Sequence, residues 1–226
     1  MLQTDLDIDT GTFTLTLARE PVNALNEALY DELHEAFERA RDDASVRVVV
    51  LTGAGNKAFC AGADIKEYAE LPHQEAEAKQ LTVLLRALTD LVTCPKPVMA
   101  AVNAPAIGAG LMLASACDEI VMAKSAWVSL PESKLNLPTP IGAEIVARRF
   151  EARAVHTLLQ RAERLDAAQC AASGFADQVV AVEDVLTTVA KRAEVYAEID
   201  AAVYAVNKRW LNRDLPALLQ AACSHK

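Results

Sequence analysis

Short β-branched runs alternate along this chain with stretches that are apolar on one helical face. Residues 12–17 alternate threonine with bulky apolar side chains, which predicts a strand with one covered face. Residues 46–52 form a mostly β-branched run in which Arg47 is the one charge, and residues 98–102 are apolar throughout, so both are predicted to be strands buried in a parallel sheet. Apolar positions at helical spacing predict helices over residues 25–40 and over residues 81–92, the second ended by Pro95. This recurring order favours an α/β fold.

The longest uncharged stretch, residues 97–117, is typical of a strand, a turn and a buried helix. It reaches the length of a membrane span, about 18 apolar residues. However, Asn103 and Pro105 interrupt it, and Gly108 and Gly110 follow. The N–H groups that open a helix at such a turn can hold a developing anion. A plain turn between a core strand and a core helix explains the same residues, so this stretch alone leaves both interpretations open.

The second half of the chain is predicted to be richer in helix. Strands are expected at residues 119–123, at Trp127 and over residues 175–180. A helix is expected over residues 143–160, a short one between its cap Asp166 and Gly174, and a long one over residues 182–211. The prediction is one domain over residues 1–226, with a core to about residue 180 and a C-terminal helical region from about residue 182.

Composition narrows the function classes. A hydrophobic content of 52% and a charged content of 23% are typical of a globular protein. The net charge of −9 argues against binding to nucleic acid or to an anionic membrane. The five cysteines are odd in number and scattered, which favours a reduced, cytoplasmic setting. The first residues lack the basic start and apolar run of a signal peptide.

Several common catalytic motifs do not occur in the sequence. There is no Gly-x-Ser-x-Gly elbow and no Walker-type loop, and position 113 is leucine where a dinucleotide fingerprint needs its third glycine. The four histidines (His34, His73, His156 and His225) show no metal-ligand spacing, so no metal site is predicted. Cys60 and Cys117 lie in apolar surroundings, where a buried, inert thiol is expected.

Two short segments could carry chemistry. The small residues around Gly62 would let a ligand approach the backbone, and Lys66 could meet a phosphate. The alternative is a plain turn with a solvated lysine. Glu132 precedes an apolar segment that would desolvate its carboxylate, raise its pKa and make it a proton carrier near neutral pH. The alternative is a solvated loop glutamate beside Lys134.

Taken in order, these segments resemble one known family. They are Arg19-Glu-Pro-Val-Asn-Ala-Leu25, Val49-Val-Leu-Thr-Gly53, Phe59-Cys-Ala-Gly-Ala-Asp64, Lys96-Pro-Val98, Asn103-Ala-Pro-Ala-Ile-Gly-Ala-Gly110, Cys117-Asp118, Pro131-Glu132, Leu165-Asp-Ala-Ala168 and Gly174-Phe-Ala-Asp-Gln-Val179. Each motif is weak alone, but the ordered set, which extends to about residue 211, closely resembles the enoyl-CoA hydratase/isomerase (crotonase) family.

The resemblance implies a spiral of ββα units, an acyl-CoA thioester ligand, no separate cofactor, and assembly into a homotrimer or a dimer of trimers. It implies that the backbone N–H groups of Ala63 and Ala109 hold the thioester oxygen as it becomes enolate-like, with Glu132 as acid and base. The positions expected to contact the substrate and its CoA are Ala61, Ala63, Asp64, Ile65, Lys66, Gly108, Ala109 and Met112.

One departure from the family pattern bears on the reaction. The family's hydratases carry two glutamates; Glu132 matches the second, but Met112 occupies the first position. A thioether cannot accept a proton from water, so the resemblance favours an isomerase in which one base moves a proton from C2 to C4. A silent acyl-CoA-binding protein and a CoA lyase or decarboxylase are the alternatives. The chain also ends earlier than is usual in the family, which leaves oligomer contacts and acyl length open.

Overall fold

The computed structural model describes residues 1–67 and 69–224. The strands in chain order are β1 (Leu2–Asp7), β2 (Thr12–Leu17), β3 (Val48–Gly53), β4 (Val98–Val102), β5 (Ala106–Ile107), β6 (Glu119–Ala123), β7 (Trp127–Ser129), β8 (Leu165–Asp166) and β9 (Gln178–Val180). The larger sheet has the order β1-β2-β3-β4-β6-β9, and the smaller one has the order β5-β7-β8. In the larger sheet only β1 and β2 pair antiparallel; the other neighbours are parallel.

The helices pack against these sheets. In chain order they are α1 (Glu27–Asp42), α2 (His73–Thr93), α3 (Ala109–Ala116), α4 (Pro140–Val146), α5 (Ala152–Arg161), α6 (Ala167–Ala172), α7 (Val185–Ala197), α8 (Ala201–Leu211) and α9 (Leu215–Ser224), with 3₁₀ turns at Pro131–Leu135 and Val182–Asp184. The predicted cap Asp166 is confirmed, since its side chain accepts a hydrogen bond from a backbone N–H in the first turn of α6. Asn26 caps α1 in the same way.

The prediction of buried parallel strands is confirmed. Every residue of β3, β4 and β6 is buried, which is expected for strands covered on both faces. Helix α3 is also buried along its whole length, and it lies between α2 and α4. The strand, turn and helix predicted over residues 97–117 are therefore present. Strand β1 was not predicted, because its residues are mostly polar and exposed.

Two predicted helices are wrong in their extent. The predicted helix over residues 182–211 is divided into a 3₁₀ turn, α7 and α8. It breaks because the side chain of Asp200 accepts a hydrogen bond from Val203 N at 3.0 Å and caps a new helix. The predicted helix over residues 143–160 is divided into α4 and α5, because Glu151 is extended and donates its N–H to Ser173 O at 3.0 Å.

The fold bears on two expectations from the sequence, one about a membrane span and one about the cysteines. Across residues 1–67 and 69–224, no helix is long and apolar enough to cross a membrane. Cys60, Cys94, Cys117 and Cys170 are buried and unbridged, and burial raises the pKa of both Cys60 and Cys117 to about 12. The buried, inert thiols predicted at Cys60 and Cys117 are therefore consistent with the fold. The side chain of Cys223 lies outside the described part.

Candidate active site

The segment around Ala63 is fixed by a bridge to the chain that enters α1. Leu25 N donates to Gly62 O and Asp64 N donates to Leu25 O, both at 2.8 Å. In a trans peptide the C=O and the N–H point in opposite directions, so the N–H of Ala63 points away from Leu25. Gly62 has a φ of +90°, which glycine adopts freely. The bridge therefore presents one backbone donor on the cavity side of this segment.

A second backbone donor comes from the turn that opens α3. Gly108 has a φ of +54°, and its carbonyl accepts the N–H of Met112 at 3.1 Å as the helix begins. The N–H of Ala109 lies in the first turn, where it has no intrahelical partner. A β-carbon placed on Gly62 would lie only 3.3 Å from Ala109 N, so the two segments are in contact. Neither the Ala63 N–H nor the Ala109 N–H donates to another group of the described chain.

Glu132 faces the same turn from the 3₁₀ helix that follows β7. A β-carbon on Gly108 would lie 2.8 Å from Glu132 Oε1, so the carboxylate reaches the glycine turn. Its Oε2 is buried and has no hydrogen-bond partner among the described residues. Burial raises the pKa of Glu132 because the charged form is desolvated. The predicted desolvation of this carboxylate is therefore confirmed, and the exposed-loop alternative is wrong.

Met112 occupies the next turn of α3 and is 2% exposed. A β-carbon on Gly142 would meet its Cε at 2.8 Å, so the thioether fills the space beneath α4. By the family resemblance, the first glutamate of a two-glutamate hydratase is expected at this position. The wall opposite Gly142 is consequently an apolar side chain rather than a second carboxylate.

One cavity of about 360 Å³ brings all of the predicted site residues together. Its walls include Ala61, Ala63, Asp64, Ile65, Lys66, Gly108, Ala109, Met112 and Glu132. The sequence did not predict the contribution of α2, which adds Glu77, Gln80, Leu81 and Leu84. These positions are spaced i, i+3, i+4 and i+7, so they form one stripe of the helix. The leucines were identified only as core residues, and the two polar positions gave no signal because they fall outside the apolar pattern.

The two ionic side chains near Ala63 have different surroundings. Asp64 accepts a hydrogen bond from Arg19 Nη2 at 2.6 Å, and their side chains are 17% and 27% exposed. Burial alone raises the pKa of Asp64, but the Arg19 guanidinium and the N–H of Lys66 together hold it below its usual value. The Lys66 side chain is exposed at the edge of the cavity. Asp64 therefore fixes the loop, and Lys66 remains accessible.

The expectation that every histidine stands apart from possible co-ligands is wrong for His34. Its Nδ1 lies 2.8 Å from Asp90 Oδ2, and Glu38 is close enough for the three ligand atoms to lie within 4.8 Å of one another. The Arg41 guanidinium contacts both carboxylates and offsets part of their negative charge. This cluster is separate from the cavity lining. His225 lies outside the described residues.

The chain matches the model of the enoyl-CoA hydratase/isomerase family over residues 7–225. It is similar to a carnitinyl-CoA dehydratase of Proteus mirabilis, with 34% identity over 81% of this chain and 70% of the relative. It is also 33% identical to a probable mitochondrial enoyl-CoA hydratase of Dictyostelium discoideum, over 93% of this chain and 74% of the relative.

Solved structures give the same result for the fold. The chain superposes on an enoyl-CoA hydratase/isomerase family protein from Silicibacter pomeroyi with a TM-score of 0.85 and 31% identity, covering 99% of this chain and 95% of the other. It superposes on an enoyl-CoA hydratase from Mycobacterium smegmatis with a TM-score of 0.88 and 29% identity, covering 99% and 88%. The crotonase fold expected from the motifs is confirmed. The chain belongs to the enoyl-CoA hydratase/isomerase family and is an enzyme of that acyl-CoA type.

Proposed function

We propose that the protein is an enoyl-CoA isomerase that uses one carboxylate, Glu132, as both base and acid. Two features carry the proposal. Glu132 Oε2 is buried without a hydrogen-bond partner among the described residues, and the apolar Met112 occupies the position expected for the family's first glutamate. A base that must hold a proton and return it benefits from a raised pKa. A thioether beside it provides no second group to activate water.

In this mechanism the carbonyl oxygen of a 3-enoyl thioester accepts hydrogen bonds from the N–H groups of Ala63 and Ala109. The Glu132 carboxylate removes a proton from C2, and the electrons move onto the thioester oxygen to give a dienolate. Protonated Glu132 then returns the proton to C4, and the double bond becomes C2=C3. Donors aimed at charge that develops in the transition state contribute about 3–4 kcal/mol each.

The rest of the cavity suggests how the substrate is held. Ile65 and Lys66 lie at the exposed edge, where Lys66 can meet a CoA phosphate. The leucines of α2 line the apolar part of the cavity, which would hold the acyl chain. The coenzyme A belongs to the substrate, so the reaction requires no separate cofactor or metal.

Helix α8 presents an apolar row that supports assembly of the chain into a homotrimer or a dimer of trimers. Val203, Val206 and Trp210 are spaced i, i+3 and i+7, and they are 54%, 53% and 68% exposed. Burying this row against other copies removes it from water. In size-exclusion chromatography with light scattering, Trp210→Glu is expected to shift the mass toward the monomer. An unchanged mass would show that this row is not the contact.

Hydration or dehydration is the second candidate reaction. The names of the Proteus and Dictyostelium relatives favour it, and a further carboxylate, that of Glu77, lines the cavity from α2. In that case water would be activated by Glu132 and Glu77 rather than by a residue at position 112.

Product analysis separates these functions. Incubation with a 3-enoyl-CoA and with a 2-enoyl-CoA is followed by liquid chromatography, which separates the isomers, and by mass spectrometry, which detects added water; we expect the moved double bond and no gain of water. Glu132→Gln is expected to lower turnover by about 10²–10⁴-fold. The matched control Glu183→Gln, at an exposed position outside the cavity, should leave turnover unchanged.

The other outcomes identify the alternatives. Full turnover in Glu132→Gln would contradict the base assignment. A gain of water that Glu77→Gln removes would establish hydration. Binding of every thioester without turnover would indicate a silent acyl-CoA-binding protein.

A further inference from the structure

A second cavity, of about 510 Å³, lies at the opposite end of helix α3 from Ala109. It is enclosed by the last residues of α3, the segment between α4 and α5, and helix α8. Its described lining residues are all different from those of the acyl-CoA cavity. The family reaction gives it no role.

The charge of this second cavity is opposite to that of the protein. Three cationic side chains line it, Arg148, Arg149 and Lys208, with one carboxylate, Asp118. The whole chain carries a net charge of −9. The positive charge of this cavity attracts an anion more strongly than the rest of the acidic surface does.

Two of the three cations in this cavity already have partners within the fold. Lys208 Nζ lies 2.6 Å from Asp118 Oδ2, and it also donates to Lys96 O at 3.1 Å. The same Asp118 oxygen accepts the N–H of Val98 at 2.8 Å, so these two charges neutralise each other within the fold. Arg149 donates to the carbonyl of Cys117 and lies 3.8 Å from the Asp177 carboxylate.

Arg148 and Ser115 have no such partners. Arg148 is exposed at the mouth of the cavity, and within residues 1–67 and 69–224 its guanidinium makes no hydrogen bond or ion pair. Ser115 is 4% exposed, and its Oγ is buried without a hydrogen-bond partner among those residues. Leaving a buried hydroxyl unpaired is unfavourable, so a native fold rarely keeps one without a role. Both groups line the same cavity.

We propose that this cavity binds a small carboxylate with a short hydrocarbon tail. The guanidinium of Arg148 matches the two oxygens of a carboxylate, and the hydroxyl of Ser115 donates a further hydrogen bond to it. Val92, Ile145 and Leu215 supply the apolar wall for the tail. This mixture of one cationic fork and apolar walls fits a short-chain carboxylate better than a phosphate, which carries no hydrocarbon to bury. The proposal does not depend on the isomerase reaction.

Isothermal titration of the full-length protein with butyrate tests the proposal. Butyrate is expected to bind saturably, and both Arg148→Gln and Ser115→Ala should weaken it, Arg148→Gln by about tenfold. Arg209→Gln, which removes an exposed charge on α8 outside the cavity, is the matched control and should bind as the wild type does. Binding should persist in the presence of saturating butyryl-CoA, because the two cavities are separate.

Four outcomes would overturn this proposal. An absence of saturable butyrate binding would contradict the proposed site, and equal weakening in all the variants would show a nonspecific charge effect. Loss of butyrate binding when butyryl-CoA is added would place butyrate in the first cavity. Inorganic phosphate binding as tightly as butyrate would show that the hydrocarbon tail is not recognised. Circular dichroism of each variant separates the loss of a contact from the loss of the fold.

Discussion

Two carboxylates line the acyl-CoA cavity in opposite environments. Asp64 meets the Arg19 guanidinium and the Lys66 N–H, and its pKa lies below the usual value. Glu132 has a buried oxygen without a partner in the described chain, and burial raises its pKa. A paired carboxylate is held ionised and fixes a loop, whereas an unpaired one can take up and release a proton. This contrast supports a structural role for Asp64, which fixes the loop, and the proposed catalytic role for Glu132, which carries the proton.

The contact between Gly108 and Glu132 gives the largest expected effect. Gly108→Ala places a β-carbon 2.8 Å from Glu132 Oε1 at a φ of +54°, which displaces the carboxylate and the Ala109 donor. We expect turnover to fall by about 10²-fold. Steady-state kinetics with an enoyl-CoA substrate measures this fall.

Gly55→Ala is the matched control for backbone strain. Gly55 also has a positive φ, +72°, but a β-carbon there meets nothing within 4 Å. Both variants are expected to lose about 1–3 kcal/mol of unfolding free energy, and only Gly108→Ala should lose turnover. If both lost turnover equally, strain rather than displacement of Glu132 would be the cause.

The pH dependence of the reaction is the next test of the contrast. Glu132 must be ionised to remove a proton, so kcat/KM is expected to rise with pH until its raised pKa is passed. Below that pKa the rate should fall about tenfold per pH unit. The acid limb should therefore lie above the ordinary glutamate pKa of about 4.3. A limb at or below the ordinary value would show that Glu132 is not desolvated when it acts.

Replacing Met112 changes the number of carboxylates beside Gly108. Met112→Glu places a second carboxyl group beneath Gly142, and we expect the product ratio to shift about tenfold toward the water adduct. Met112→Gln, which is similar in size and cannot act as a base, should leave the ratio unchanged. The ratio is measured by mass spectrometry of the CoA products. Equal shifts in both variants would attribute the change to packing alone.

The smallest expected effect concerns the paired carboxylate. Asp64→Asn should lower the free energy of unfolding at pH 7 by about 1 kcal/mol, because the Arg19 contact is weakened. Since the folded pKa of Asp64 is lowered, this stabilisation is present above the unfolded pKa and is lost as the pH falls through the folded one. Urea unfolding at pH 7 and pH 3 measures the difference. A difference that persists unchanged at pH 3 would have another origin than charge.

The sequence predicted the elements whose pattern is local. Strands β3, β4 and β6 and helix α3 followed from runs of mostly apolar residues, and the site motifs followed from the family resemblance. The predicted helix boundaries were wrong where a single side chain sets the boundary, as at Asp200. There a capping hydrogen bond starts a new helix within a stretch whose pattern predicts one continuous helix. The stripe of α2 that lines the cavity was not predicted either. Its placement depends on tertiary packing, which no local pattern encodes.

The most direct test of the central claim is proton exchange at C2. A saturated or 3-enoyl thioester of CoA is incubated with the protein in heavy water, and deuterium incorporation is followed by mass spectrometry. With wild-type protein we expect deuterium at C2 of the saturated thioester, and a moved double bond with deuterium at C4 in the enoyl product, and none of these changes with Glu132→Gln. Exchange that survives unchanged in Glu132→Gln would contradict the assignment of Glu132 as the single acid and base.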